Sequence, residues 1–501
     1  MEFVAQLSTA AQMLMAWDLI LYIFVGLIIG IALGALPGVS GVTAITLMLV
    51  PSYYMPSLQA IVFLTAIYTG SVYGGGITAV LLNIPGTPAA IATGFDGFPM
   101  TQSGRHNEAL GLGLMSSAFG LFVSYLFVLV FLLPIGKLVM KFGPPEMLMV
   151  VLIAISSVGL VKGQILPSLM TGMFGILVGT IGASPMGHVR GIFGQMALYE
   201  GIPLIPALLG MLAVSELFVL VEKETIIAKD AEPSHSMKDI IKGLFSTFKY
   251  KGTLVKSSLI GIGIGLLPAA GSTVASMLSY GAAMRRSKQP DNFGKGDPEG
   301  VIAAEAANNG SEGGAVATML CFGVPGSATT ALLMAAFMIQ GMSPGPYLIR
   351  EHLDFAYAVV LTQFIIAIML VLVGVVFIYY FSKLVYLPIG VIVPMVLVFS
   401  VLGALSLRKL SIDVVILILF AVFGYILKKL DYPIMGFILG FILGELMDKE
   451  MVKTYMLYSN DISGLFHRPI FLTLLVITSS VFLWPVVKRF IGKNISNSKP
   501  A

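Results

Sequence analysis

Chemistry in this sequence concentrates where apolar runs break. GALPGVSGVTA (34–44) and GLLPAAGSTVAS (265–276) each interrupt a hydrophobic stretch with Pro and Gly and then supply hydroxyls; LNIPGTPAA (82–90) and FGVPGSATT (322–330) do the same later in each half. Proline removes a backbone donor and glycine permits a turn, so each break ends one helix and starts another. The unpaired amides that open the second helix, with nearby hydroxyls, bind a carboxylate without a buried Lys or Arg, while the carbonyls ending the first accept a cation. The substrate-binding set on this reading is Pro37, Gly38, Ser40, Thr43, Asn83, Pro85, Gly86 and Thr87, with Ser272, Thr273, Pro325, Gly326, Ser327 and Thr329 from the second half. A structural account stays open beside it: Pro and Gly kink packed helices, and small residues such as Gly26, Gly30 and Gly34 let them approach. Occurrence in both halves favours ligand binding.

A second constellation is AAEAANNGSEGGAV (303–316), which places Glu305, Asn308, Asn309, Ser311 and Glu312 in apolar sequence just before the second Pro-Gly break. An ionisable side chain inside a membrane segment is costly and is a functional candidate on that ground. Asn and carboxylate oxygens suit a hard cation. The coupling-ion set is therefore Ser71, Asn308, Asn309, Ser311 and Glu312, the positions at which sodium would be held; Tyr68, Thr69 and Tyr73 fill the equivalent region of the first half. Glu305 has a second reading as a wet residue at a helix mouth near Asp297 and Glu299. Asp18, Lys162, Glu216, Asp413 and Glu445 fall near predicted helix ends, where snorkelling accounts for them. GFDGFPMTQSGRHNEA, with Asp96, Arg105, His106 and Glu108, reads as a docking or gating loop, or as a solvated connector.

The elements that position these groups follow from composition. Of 501 residues, 57% are apolar and 11% charged, against about a quarter charged in soluble chains. The expectation is an all-α polytopic membrane protein with roughly 12–14 hydrophobic segments, since backbone groups in hydrocarbon must be satisfied within each segment. The single cysteine, Cys321, excludes a disulfide framework, and five scattered histidines disfavour zinc. A net charge of +4 leaves no nucleic-acid footprint. No GxSxG, HExxH or GxxxxGK[ST] occurs, so the chain reads as no enzyme, with no catalytic residue and no cofactor beyond a coupling sodium ion or proton.

Gly30, Ile31, Gly34, Leu36, Pro37, Ala44 and Leu47 recur 231 positions on as Gly261, Ile262, Gly265, Leu267, Pro268, Ala275 and Leu278. Gly70, Ser71, Gly74, Thr78, Pro85 and Gly86 recur 240 positions on as Gly310, Ser311, Gly314, Thr318, Pro325 and Gly326. The expected division is a first transmembrane repeat over 1–221, a cytoplasmic polar linker over 222–256, a second repeat over 257–460 and a final helix with a cytoplasmic tail over 461–501. Lysines concentrate in the linker, and Arg285, Arg286, Lys288 and Lys295 in the next polar loop, which places both in the cytoplasm. The segment between them must then fold back as a hairpin near Leu267–Gly271. Its uncharged first-half counterpart at 51–56 is expected on the opposite face, which makes the two repeats inverted, with Pro/Gly-broken helices or re-entrant hairpins. The N-terminal apolar run, 19–36, is expected to be retained as a span rather than cleaved.

The stretches LPGVSGVTAITLMLVP, YTGSVYGGGITAVLLNIPGTPAAIATGFDGFP, EAANNGSEGGAVATMLCFGVPGSATTALL and IQGMSPGP resemble the large membrane subunit of the tripartite tricarboxylate transporters, the TctA family. The matching positions are Pro37, Gly38, Ser40, Asn83, Pro85, Gly86 and Thr87, then Pro268, Asn308, Asn309, Pro325, Gly326 and Ser327. The sequence departs from the family's pattern at Gly310-Ser311-Glu312, where small uncharged residues are expected. The resemblance implies uptake of a tri- or dicarboxylate such as citrate, by symport with sodium or protons, through the bacterial inner (cytoplasmic) membrane. It also implies a periplasmic solute-binding protein and a small four-helix membrane subunit as partners. A stand-alone organic-anion carrier, a passive channel and a membrane-embedded enzyme using Glu305 or Glu312 remain the competing readings.

Overall fold

Once water is absent, an apolar segment must close its hydrogen bonds on itself, and most of the described residues do so as helix. The computed structural model describes residues 2–14, 16–36, 40–83, 85–162, 165–222, 236–268, 270–381, 389–459 and 462–480. The first half holds α1 (Glu2–Met13), α2 (Trp17–Gly34), α3 (Gly41–Ser52), α4 (Ser57–Leu82), α5 (Ile91–Gln102) and α6 (His106–Val139). Then come α7 (Pro144–Lys162) and α8 (Ile165–Gly179), a short antiparallel pair β1 (Gly182–Ala183) and β2 (Val189–Arg190), and α9 (Leu204–Leu208), which runs through a π-helical stretch, Leu209–Val214, into α10 (Ser215–Glu222). The second half holds α11 (Met237–Ser246), α12 (Lys251–Gly265), α13 (Gly271–Arg286), α14 (Pro298–Phe322), α15 (Ala328–Ile339), α16 (Pro346–Glu351), α17 (Leu353–Phe381), α18 (Ile389–Arg408), α19 (Ser411–Lys429) and α20 (Ile434–Tyr458). A last apolar helix covers Pro469–Ser480.

Among the described residues, five helices are long and apolar enough to cross a membrane: α2, α4, α6, Leu353–Tyr380 within α17, and α19. Several shorter apolar helices accompany them. The chain is a multi-pass membrane protein. Trp17, 79% exposed at the start of α2, suits an interfacial anchor; Trp484, the tail cations Lys488, Arg489, Lys493 and Lys499, and residues 223–235 of the polar linker lie outside the described residues.

The chain forms two compact units. One comprises residues 1–137 and 205–425, the other 138–204 and 426–501. In the first, glycines set the spacing. A Cβ on Gly30 or Gly34 of α2 would strike the α4 backbone at Ile67 or Ser71; a Cβ on Gly261 or Gly265 of α12 would strike α14 at Ala307 or Ser311. The sequence recurrence is thus a recurrence of packing, one small-residue seam used twice. In the second unit α7, α8 and α20 pack together, with Gly172 against Gly440 and Gly175 against Phe437. Glu146, 1% exposed at its side chain, accepts from Arg468 Nε at 2.6 Å and from the Gly143 amide at 2.8 Å, so the buried charge is compensated.

The expected hairpin is present as a break: α12 stops at Gly265, α13 begins at Gly271, and Gly271 takes a φ of +69°, which glycine adopts without penalty. Three expectations need correction. The stretch 94–109 is no loop: it is mostly α5 and the start of α6, and Asp96 is fully buried. Asp413 does not snorkel; it is 1% exposed at its side chain and paired with Arg408. Glu305 is not wet at a helix mouth, being 1% exposed two turns inside α14. Asp18 and Glu445 do stand near solvent, partnered by Gln59 and Lys449, while the side chains of Lys162 and Glu216 fall outside the described set.

Candidate functional site

Each break brings its two motifs together. In the first half the Gly86 amide donates to the Gly75 carbonyl at 3.2 Å, and a Cβ on Gly86 would collide with the Gly34 carbonyl where α2 ends. In the second, a Cβ on Gly326 would lie 2.5 Å from Ala315 Cα and 2.9 Å from the Gly265 carbonyl. The PGT and PGS tips therefore sit against the ends of the broken helices, where carbonyls are left without intrahelical partners. One of those is satisfied directly, since Thr318 Oγ1 donates to the Leu266 carbonyl at 3.1 Å.

The halves also exchange contacts. α13 packs against the Pro88–Ala90 turn that follows Thr87, and α15 packs on α3. A Cβ on Gly41, at the start of α3, would lie 2.7 Å from Ser71 Oγ and 3.6 Å from the Thr329 methyl. Ser40 caps α3 by position only, without a side-chain bond. Ser327 caps α15 through a reciprocal box: the Thr330 amide donates to Ser327 Oγ at 3.2 Å, and Thr330 Oγ1 accepts from the Ser327 amide at 2.8 Å. Thr43 is buried on α3, and Ser272 and Thr273 are half-buried in the first turn of α13. Thr87 is buried with its hydroxyl unpartnered beside Gly75. Pro85 is half-buried and Pro325 buried in the tips. Asn83 differs from the rest: it is exposed at the C-cap of α4 with φ 56°, a conformation in which it ends the helix. Pro37 and Gly38 lie outside the described residues.

The polar stripe lies on α14. Glu305 and Glu312 are seven residues apart, two helical turns, so they share a face, with Asn308 and Asn309 between them. Glu305 Oε1 accepts from Thr93 at 2.6 Å and Oε2 from Ser117 at 2.7 Å, and Asn308 lies against the same carboxylate. Glu312 Oε1 accepts from Thr69 at 2.5 Å, while Oε2 has no partner. Both polar atoms of the Asn309 side chain are buried and unpartnered, as are the Tyr73 and Tyr125 hydroxyls. Orphaned buried oxygens of this kind call for an ion or water to complete them. Asn309 Oδ1 and Glu312 Oε2 fit a hard cation such as sodium. The Ser71 and Ser311 hydroxyls bond carbonyls of their own helices, at Tyr68 and Asn308, and keep lone pairs free.

These contacts fix a direction. Thr69 of α4 meets Glu312, and Gly76 meets Glu305. Moving seven residues up α4 moves seven down α14, so the two helices lie antiparallel. Sequence reasoning missed Thr93 and Ser117, because hydroxyl residues in apolar helices carry no local sign of which carboxylate they reach across the fold. It also missed the role of Asp96, whose Oδ1 accepts the amides of Gly294, Gly296 and Asp297 at 2.8–2.9 Å while Oδ2 accepts from Tyr280 at 2.8 Å. Asp96 thereby ties α5 to the loop before α14.

The model of the tripartite tricarboxylate transporter TctA family matches residues 20–439. The chain belongs to the TctA family. A protein of Agrobacterium vitis described as an "uncharacterized 52.8 kDa protein in TAR-I ttuC' 3'region" is 29% identical over 482 residues, 95% of each chain. A second from the same organism, described as an "uncharacterized protein in TAR-II ttuC' 3'region", is 29% identical over 212 residues, 42% of this chain and 88% of the relative. No solved structure matches. As a TctA-family member the chain is a membrane component of the tripartite transporters, and the family is one of transporters rather than enzymes.

Proposed function

We propose that this TctA-family chain is the permease subunit of a secondary-active importer of tri- or dicarboxylates, acting in a bacterial inner membrane with a periplasmic binding protein and a small four-helix subunit. The observation that carries this reading is the pair of Pro-Gly tips, each seated against a broken-helix end and followed by a helix N-terminus with Ser or Thr. Partial positive charge and hydroxyl donors there suit carboxylate oxygens, and among the described residues no Lys or Arg lies in the breaks. The coupling ion, sodium or a proton, is assigned to the neighbouring stripe of Ser71, Asn308, Asn309, Ser311 and Glu312.

The antiparallel crossing of α4 and α14 supports inverted repeats. Two equivalent helices related by an axis in the membrane plane must run in opposite directions, whereas an axis along the membrane normal would leave them parallel. Alternating access then follows from one repeat rocking against the other around the fixed site.

The test is uptake of radiolabelled citrate into proteoliposomes containing the chain and the small subunit, with and without the binding protein, under sodium or proton gradients. Accumulation that needs both the binding protein and a cation gradient supports the reading; equal entry without a gradient replaces it with a passive channel. Glu312→Gln should abolish or change the cation dependence, and unaltered gradient-driven uptake would remove Glu312 from coupling.

A further inference from the structure

A polar cavity, separate from the breaks, opens between α12, α13 and the first turn of α14. Its volume is about 140 Å³, an order of magnitude above the roughly 10–15 Å³ that one water needs on the same measure. Thr253, Lys256 and Ser257 line it from α12, and Ser279 and Arg286 from α13, with Glu299 closing one side. The spacings are helical on both walls, so each helix turns one polar stripe inward among otherwise apolar neighbours.

Three features identify what the cavity takes. Ser279 is fully buried, and its hydroxyl, at the cavity wall, has no hydrogen-bond partner. Lys256 and Arg286 are exposed at the mouth and join no ion pair among the described residues. Glu299 is already engaged by the Thr253 hydroxyl. Two cations against one carboxylate leave a single positive charge, which matches one phosphodiester. The flanks then separate a lipid from a free anion: Val255 and Leu259 on α12 and Met277, Leu278 and Met284 on α13 are exposed apolar surface beside the cationic end. Acyl chains can lie along that surface while the phosphate enters the cavity.

We infer that this cavity is a headgroup site for a phospholipid with one anionic phosphodiester, held by Lys256, Arg286 and the Ser279 hydroxyl. Occupied, it clamps α12 to α13 on the side away from the break at 266–270, so the lipid steadies the hairpin that carries the second substrate-binding turn. The cationic end faces the cytoplasm by the excess of Lys and Arg in its loop, which places the lipid in the anionic inner leaflet.

The test titrates phosphatidylglycerol into phosphate-free alkyl maltoside micelles holding the full chain and follows the thermal midpoint. The wild type should be stabilised, and Lys256→Gln/Arg286→Gln should need on the order of tenfold to thirtyfold more phosphatidylglycerol for the same shift. Lys251→Gln/Lys288→Gln removes the same charge from exposed positions outside the cavity and should respond as wild type. Ser279→Val keeps both cations but fills the floor and should also weaken the response, which decides the matter should the first double variant not fold. Equal responses from both double variants, or an unchanged response from Ser279→Val, would overturn the site. Inorganic phosphate stabilising the wild type as well as phosphatidylglycerol does would assign the cavity to a free oxyanion and overturn the lipid. None of these outcomes bears on carboxylate uptake.

Discussion

Glu305 is held by two hydroxyls from two different helices, Thr93 of α5 and Ser117 of α6. Hydrogen bonds inside membrane bundles contribute about 0.6–2 kcal/mol, so Thr93→Val and Ser117→Ala should each lower stability by that order in detergent unfolding. Because both act on one carboxylate, the double variant should depart from the sum of the singles. Additive effects would show that the two hydroxyls act independently of Glu305. The carboxylates and asparagines were legible from sequence, since charge within apolar sequence stands out; their partners were not, because Thr93 and Ser117 lie 212 and 188 positions away from Glu305. Asp96 makes the same point more sharply. As an acid flanked by Gly and Phe it resembled a loop residue, yet it gathers three backbone amides and the Tyr280 hydroxyl. Asp96→Ala would strand those amides, so it should open the loop before α14 to protease far more than Tyr280→Phe, which removes one bond. Equal cleavage of the two variants would refute the anchoring role.

At the scale of elements, glycine spacing decides how the helices meet. Gly265 of α12 faces the Ser311 backbone too closely for any Cβ, whereas Gly263 in the same helix has open space. Gly265→Ala should therefore destabilise by about 1–3 kcal/mol through overpacking, and Gly263→Ala should be neutral or slightly stabilising through better helix propensity. Gly34→Ala should reproduce the Gly265→Ala loss, since its seam with α4 has the same form. Thermal unfolding of the three variants checks the pattern, and a neutral Gly265→Ala would break it. A long apolar run is its own signal, so a helix such as α4 is expected from the sequence alone. The helices α3 and α5 carry no such signal, since each is only 12 residues and follows a Pro/Gly break that reads as the end of order.

For the whole molecule, the proposed inversion has the largest consequence, because it would fix which face each tip can reach. Tyr54, 87% exposed after α3, and Lys288, exposed after α13, are the corresponding loop positions for labelling. With the buried Cys321 replaced by Ala, Tyr54→Cys and Lys288→Cys should react with an impermeant maleimide from opposite faces of oriented vesicles. Reaction from the same face would overturn inverted repeats and, with them, the alternating-access scheme proposed for this TctA-family chain.

The sequence by itself determined that the chain lives in a membrane, that its helices break at duplicated Pro-Gly motifs, and that it resembles the TctA family. Those properties are local: they depend on run length, on residues that cannot continue a helix, and on ordered recurrence. Only the tertiary structure decided that each tip sits on the end of its own half's broken helix, that Gly41 meets Ser71 within its half and Thr329 across the halves, and that α4 and α14 pass antiparallel with the carboxylates between them. Such contacts join residues tens to hundreds of positions apart through hydroxyls and glycines, whose partners are set by the geometry of packing rather than by anything beside them in the chain.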